Sequence, residues 1–139
     1  MEPLIIKGNS HIDERGMLSF NNSFNASEIK RIYVIENKSL DIKRGWTGHT
    51  QEKRWFSAIS GAFTLQVIKI DDWQNPSKNL KPIEFIISDD KLDILLVPPG
   101  FVTMIKANTE NAKLLVMADY LLGVTKDEYR YDQNYFIVE

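Results

Sequence analysis

Cysteine is absent from all 139 residues. Disulfide bridges, thiolate metal sites and cysteine nucleophiles are thereby excluded. Histidine is scarce: His11 and His49 are the only two, so any imidazole chemistry rests on them. No apolar run approaches the about 20 residues that a spanning helix needs, and Met1 to Ser10 lack the basic start and long apolar stretch of a secretory leader. A cytoplasmic location is the expectation by elimination. A large charge of one sign is also missing, since 17 basic residues face 19 acidic ones. That balance gives no long-range pull toward nucleic acid or anionic membrane, and neither is expected as a partner.

The pattern that is present is all-β. A chain of this length fits one domain, taken as residues 1–139, with enough surface to bury a core. Arg31–Glu36 is rich in β-branched and aromatic residues. Arg54–Ile59 and Ala62–Ile70 read as a hairpin pair split by the turn Ser60-Gly61. In the second of these, Phe63, Leu65 and Val67 alternate with Thr64 and Gln66, and the alternation fades by Ile68 and Ile70. Ile83–Ile87, Ile94–Val97, Phe101–Ala107 and Lys113–Ala118 follow, separated by turn-rich stretches such as Pro98-Pro99-Gly100. Many short strands at near-regular spacing predict an antiparallel sandwich or barrel. Ser27–Lys30 reads as a helical turn, and Lys126–Tyr135 as a turn plus a short element closing one end of the barrel.

Chemistry concentrates between Lys43 and Trp55. If that segment is extended, Thr47, His49, Gln51 and Lys53 share one face. Inside a barrel such a face makes a ligand site, because unpaired polar groups are costly to bury; outside, it is an ordinary solvated face. Trp46, Trp55 and Phe56 around the segment favour the mouth of a pocket. Gly45 permits a bulge that would aim Arg44 inward, where its guanidinium suits a bidentate phosphate contact. A surface arginine beside a turn glycine is the competing reading. His11 lies in a polar stretch and reads as a surface residue.

Several segments together resemble the nucleotide-sugar cupins. Asp13-Glu14-Arg15-Gly16 is similar to the Asp-x-Arg-Gly opening of that family. Arg44-Gly45-Trp46-Thr47-Gly48-His49 resembles the Arg-Gly-x-His-x-His signature of dTDP-sugar 3,4-ketoisomerases, and the Arg-Gly-x-His start of dTDP-4-dehydrorhamnose 3,5-epimerases. Val97-Pro98-Pro99-Gly100-Phe101 resembles their shared turn. Leu114 to Asp119, then Asp127 to Tyr131, resemble the ketoisomerase ending. The resemblance, which extends to the WxcM-like proteins, spans nearly the whole chain.

It implies a double-stranded β-helix, the antiparallel jelly-roll barrel of cupins. It also implies a nucleoside-diphosphate sugar as ligand, a role in polysaccharide sugar biosynthesis, and a homodimer. In that frame Arg44 would meet the diphosphate, His49 would be the base and Tyr33 the acid. Thr47, Gln51, Lys53 and Arg15 would complete the substrate-binding set. No cofactor is expected, since proton transfer beside a ketone moves no hydride. A metal is not expected either: cupin metal sites use a His-x-His pair, a carboxylate and a later His, whereas this chain offers His49 and Glu52.

Two departures leave two readings open. The first signature His is Thr47, and the later His position holds Thr103. A hydroxyl is no base near neutral pH, where imidazole is. One reading is an isomerase or epimerase acting on a 4-keto-6-deoxyhexose through His49. The other is an accessory cupin that binds the nucleotide sugar and no longer turns it over.

Overall fold

A computed structural model describes residues 1–137. Twelve strands run in chain order: β1 (Leu4–Ile6), β2 (Asn9–Asp13), β3 (Gly16–Phe20), β4 (Arg31–Ile35), β5 (Lys43–His49), β6 (Arg54–Ser60), β7 (Ala62–Lys69), β8 (Ile83–Ser88), β9 (Ile94–Val97), β10 (Phe101–Ala107), β11 (Lys113–Ala118) and β12 (Glu128–Arg130). Among the described residues one 3-10 turn is present, Ala26–Glu28, capped by the Asn25 side chain. No helix among the described residues is long and apolar enough to cross a membrane.

Ten strands form two five-stranded sheets, ordered β1-β9-β6-β11-β4 and β12-β5-β10-β7-β8. Every pairing is antiparallel. The inner faces meet in one core that includes Phe56, Phe63, Leu65, Val67, Leu95, Phe101, Leu114 and Val116. This is the two-sheet antiparallel barrel that the strand spacing predicts. The remaining pair, β2 and β3, is a hairpin bonded to neither sheet.

The fading alternation in β7 has a packing cause. Ile68 and Ile70 lie on the outer face of their sheet, yet they are buried with Trp46, Val102, Met104 and Phe136. The C-terminal segment supplies this cover: Trp46 meets Phe136 edge-on, and the Tyr131 hydroxyl donates to the Trp73 carbonyl at 2.6 Å. A strand buried on both faces has no polar side to alternate with. β9 shows the same effect, all four of its residues being buried. On its outer face Ile94 and Leu96 join a third apolar cluster, with Phe24 and Ile29 packed against it.

Predicted strands from β6 to β11 stand within a residue or so of their observed bounds. Gly61 takes φ of +71° in the predicted turn, a conformation open to glycine at little cost. β1, β2 and β3 were not anticipated. The element expected in Lys126–Tyr135 is β12 followed by turns, and it lies along β5 rather than across the barrel end.

A candidate active site between the two sheets

A cavity of about 1110 Å³ opens between the sheets. Its walls come from β4, β5, β6 and β10, with the segment that carries β12 closing one side. That volume accommodates a ligand larger than most drug-sized molecules.

Strand β5 supplies the side chains that the sequence singled out. Phe101 pairs with His49 and Thr103 with Thr47, after which the register shifts and Ile105 pairs with Arg44. The shift leaves Trp46 as an extra residue in β5. It turns outward into the second apolar cluster. A one-residue bulge reverses the parity of everything before it, so Arg44, Thr47 and His49 all line the cavity. Gly45 is the residue that permits this. Its φ is +135°, and a Cβ there would stand 2.3 Å from the Thr103 carbonyl oxygen. Arg44 is held in place by Asn37, whose Oδ1 accepts from Nε at 2.9 Å.

His49 is buried, 8% exposed. Two carboxylates converge on its Nδ1: Asp127 Oδ1 at 3.3 Å and Glu52 Oε2 at 3.2 Å. Asp127 Oδ2 accepts the backbone N–H groups of Gln51 and Glu52, both at 2.8 Å. These bonds pin the turn after β5 and set Glu52 beside the ring. Burial of Asp127 works against its ionised form, but the Glu52 and Gln51 N–H groups and the His49 ring outweigh it. Its carboxyl therefore lies below the usual range. For His49, burial and then the Arg54 charge outweigh the two carboxylates, and the ring titrates below the ordinary histidine range. His49 is thus neutral near pH 7, its Nδ1–H turned to a carboxylate. Among the described residues Nε2 has no hydrogen-bond partner, while no fully buried side-chain nitrogen lacks one. Nε2 is therefore open to the cavity.

Arg54, from the start of β6, bridges the site. Its Nη2 and Nε donate to Glu52 Oε2 at 2.7 and 3.3 Å, and its Nη1 donates to the Tyr33 hydroxyl. Tyr33 projects from β4 into the cavity, with the Arg31 guanidinium 4.5 Å from its ring centre. Accepting from Arg54 leaves the Tyr33 O–H proton available to a ligand. Arg31, Arg44 and Lys126 also line the cavity and make no ion pair among the described residues. Unneutralised cations in a shared cleft suit an anionic ligand.

Four of the residues expected at the site, Tyr33, Arg44, Thr47 and His49, line one cavity. Three do not. Gln51 is exposed, its Oε1 accepting from Thr125. Lys53 pairs with Glu28 at 2.8 Å. The shared face proposed for them fails because β5 ends at His49 and the chain turns under Asp127. Arg15 sits at the β2–β3 turn and pairs with Asp13 at 2.7 Å, its side chain 83% exposed. Four residues were missed: Asp127, Arg54 and the cavity cations Arg31 and Lys126. Asp127 is 78 positions from His49, and Arg54 reads as an ordinary strand start.

The count of possible metal ligands also changes. His49, Glu52 and Asp127 offer donor atoms within 4.8 Å of one another, where the sequence suggested two groups. Arg54 is already on Glu52, and two backbone N–H groups are on Asp127. The cluster is a satisfied hydrogen-bond network with its own cation.

The family description "WxcM-like, C-terminal" (FdtA) matches residues 1–139. Among solved structures, a mutant of the 3,4-ketoisomerase QdtA from Thermoanaerobacterium thermosaccharolyticum, in complex with TDP-4-keto-6-deoxyglucose, is 22% identical with a TM-score of 0.72. The match covers 96% of this chain and 91% of that one. A 3,4-ketoisomerase from Helicobacter canadensis is 21% identical, TM-score 0.67, with 99% and 90% covered. A dTDP-4-dehydrorhamnose 3,5-epimerase from Bacillus anthracis is 16% identical, TM-score 0.70, with 88% and 74% covered. These likenesses fix the fold as theirs. No curated protein sequence matches the chain.

Proposed function

The chain belongs to the WxcM-like, C-terminal family, and from that premise we propose that it is a sugar-nucleotide isomerase or epimerase. Its substrate is a 4-keto-6-deoxyhexose on a nucleoside diphosphate, the class of ligand held by the ketoisomerase from Thermoanaerobacterium thermosaccharolyticum. One observation carries this reading. A neutral imidazole, anchored through Nδ1, presents Nε2 to a cavity that also holds unpaired cations.

Protons on a carbon next to a ketone are acidic enough for such a base once the enediolate is stabilised. His49 Nε2 takes the C–H proton, and the electron pair moves onto the keto oxygen. The Tyr33 hydroxyl lies in the same cavity to give a proton to that oxygen. Return of a proton to that carbon on its opposite face, as the enol O–H proton goes back to Tyr33, completes an epimerisation; return to the former keto carbon, as the hydroxyl on the first carbon gives up its proton, completes a keto shift. Arg44, with Arg31 and Lys126, answers the diphosphate charge. No hydride leaves the substrate, so the reaction calls for no redox cofactor.

A single barrel over residues 1–139 is the proposed unit, working in the cytoplasm in polysaccharide sugar synthesis. A homodimer is proposed with it. β4 is a sheet edge, and its Ile32 and Val34 are exposed on the outer face. The β2–β3 hairpin carries exposed Ile12, Met17 and Leu18, and an isolated hairpin is marginal in water. A second copy covering both would protect edge and hairpin together.

The accessory reading keeps one observation in its favour, Thr47 and Thr103 at the imidazole positions of the resemblance. The test is incubation with dTDP-4-keto-6-deoxyglucose, following the sugar protons by NMR. Conversion in the wild type, with at least ~10²-fold loss in His49→Asn, supports the enzyme. Unchanged sugar together with tight nucleotide binding supports the accessory protein.

A further inference from the structure

Two carboxylates stand at nearly equal distance from one ring nitrogen. Glu52 Oε2 is 3.2 Å and Asp127 Oδ1 3.3 Å from His49 Nδ1. A neutral ring has one N–H to give on that side. Which carboxylate receives it decides how the ring is oriented and how readily it takes a second proton.

The surroundings of the two acids differ. Glu52 Oε2 already accepts two N–H bonds from Arg54, whose charge neutralises it. Among the described residues Asp127 Oδ1 has no other side-chain partner, while Oδ2 is fixed by two backbone N–H groups. Glu128 is the cross-strand partner of His49 on β12, Tyr33 is reached through Arg54, and Arg31, Glu36, Arg44, Lys126 and Arg130 line the same cavity. On the β10 side its partner is the apolar Phe101.

We propose that Arg54 is a positioning residue: by clamping Glu52 to the Tyr33 hydroxyl, it leaves Asp127 to take the His49 Nδ1–H and keeps Nε2 facing the cavity. The inference rests on the reading of His49 as the base. Without Arg54, Glu52 becomes an uncompensated charge against the ring. The ring then takes a second proton at higher pH and ceases to be a base there. Tyr33 loses the donor that orients its hydroxyl at the same time.

The chain's own composition makes this testable without substrate. With only His11 and His49 present, each ring can be followed through its carbon-bound protons and ring ¹⁵N shifts in an NMR pH titration. Exposed His11 serves as internal reference, and His49→Asn assigns the signals. In the wild type, the neutral His49 ring is expected to show Nδ1 protonated and Nε2 bare. In Arg54→Gln the His49 midpoint should rise by about one pH unit or more, and Arg54→Lys should bring it part of the way back. An unmoved midpoint in a folded Arg54→Gln protein overturns the proposal. A second comparison leaves Arg54 intact: Asp127→Asn should lower the His49 midpoint more than Glu52→Gln does. The reverse order overturns the proposal as well. Because the readout is the ring's own titration, an inactive protein with these shifts would sink the enzyme reading and leave the role of Arg54 standing.

Discussion

Thr47 on β5 and Thr103 on β10 are cross-strand partners, and the Thr103 hydroxyl donates to the Thr47 carbonyl oxygen at 3.4 Å. These are the two positions where the sequence resemblance expects imidazole. One patch of cavity wall has therefore changed, and neither hydroxyl bonds to His49, Asp127 or Glu52 among the described residues. Thr47→Val and Thr103→Val are expected to leave turnover within about threefold, the scale of substitutions that break no network. Steady-state kinetics with the keto sugar nucleotide measure this. A fall of about 10²-fold would place a hydroxyl in the chemistry.

Arg44 is the cavity cation tied to a neutral holder, Asn37, rather than to an acid. It is thus free to meet a diphosphate. Arg44→Ala should weaken dTDP binding by roughly 10- to 150-fold, the worth of a charged hydrogen bond. Asn37→Asp should also weaken it, because an aspartate there would pair with Arg44 and compete with the phosphate. Isothermal titration calorimetry checks both. Unchanged affinity in Arg44→Ala would remove Arg44 from the ligand site.

Acid should destabilise the fold in two stages. His49 titrates below its ordinary value when folded, so the unfolded chain takes a proton first as pH drops below about 6.5. Stability falls from there until the folded ring protonates. Asp127 is likewise lowered by its bonded state. Its contribution is intact above the unfolded aspartate value near 3.9 and is lost as pH falls through the folded one. Urea denaturation of His49→Asn should therefore show a flatter dependence than wild type between about pH 7 and 5. Equal slopes would contradict the lowered titration of His49.

The exposed apolar face of β4 predicts a dimer that charge can split. Light scattering should report twice 16.1 kDa for the wild type and 16.1 kDa for Ile32→Glu/Val34→Glu. A wild-type monomer at micromolar concentration would refute the second copy.

Much of this arrangement is legible in the residues. β6 to β11 carry apolar runs long enough to read, and the bulge that Gly45 permits does turn Arg44 inward. β1 to β3 and β12 are three to five residues long with mixed faces, so their periodicity is too short to stand out. Gln51 and Lys53 were misplaced because alternation says nothing about where a strand stops, and the stop is set by Asp127 from far along the chain. Arg54 shows the same limit. An arginine at a strand start carries no local mark of the acid and phenol it will bridge. Asp127 had one signal, its place in the family-like ending Asp127 to Tyr131, but nothing nearby pointed it at His49.

The central claim is that His49, held by Asp127, moves a proton on and off carbon. Incubation with dTDP-4-keto-6-deoxyglucose in deuterated water tests it at the bond concerned. The wild type should place deuterium at C3 or C5 for an epimerisation, or at C4 for a keto shift, with Asp127→Asn slower and His49→Asn slower by at least ~10²-fold. A protein that binds dTDP and leaves every carbon-bound proton in place would contradict the account.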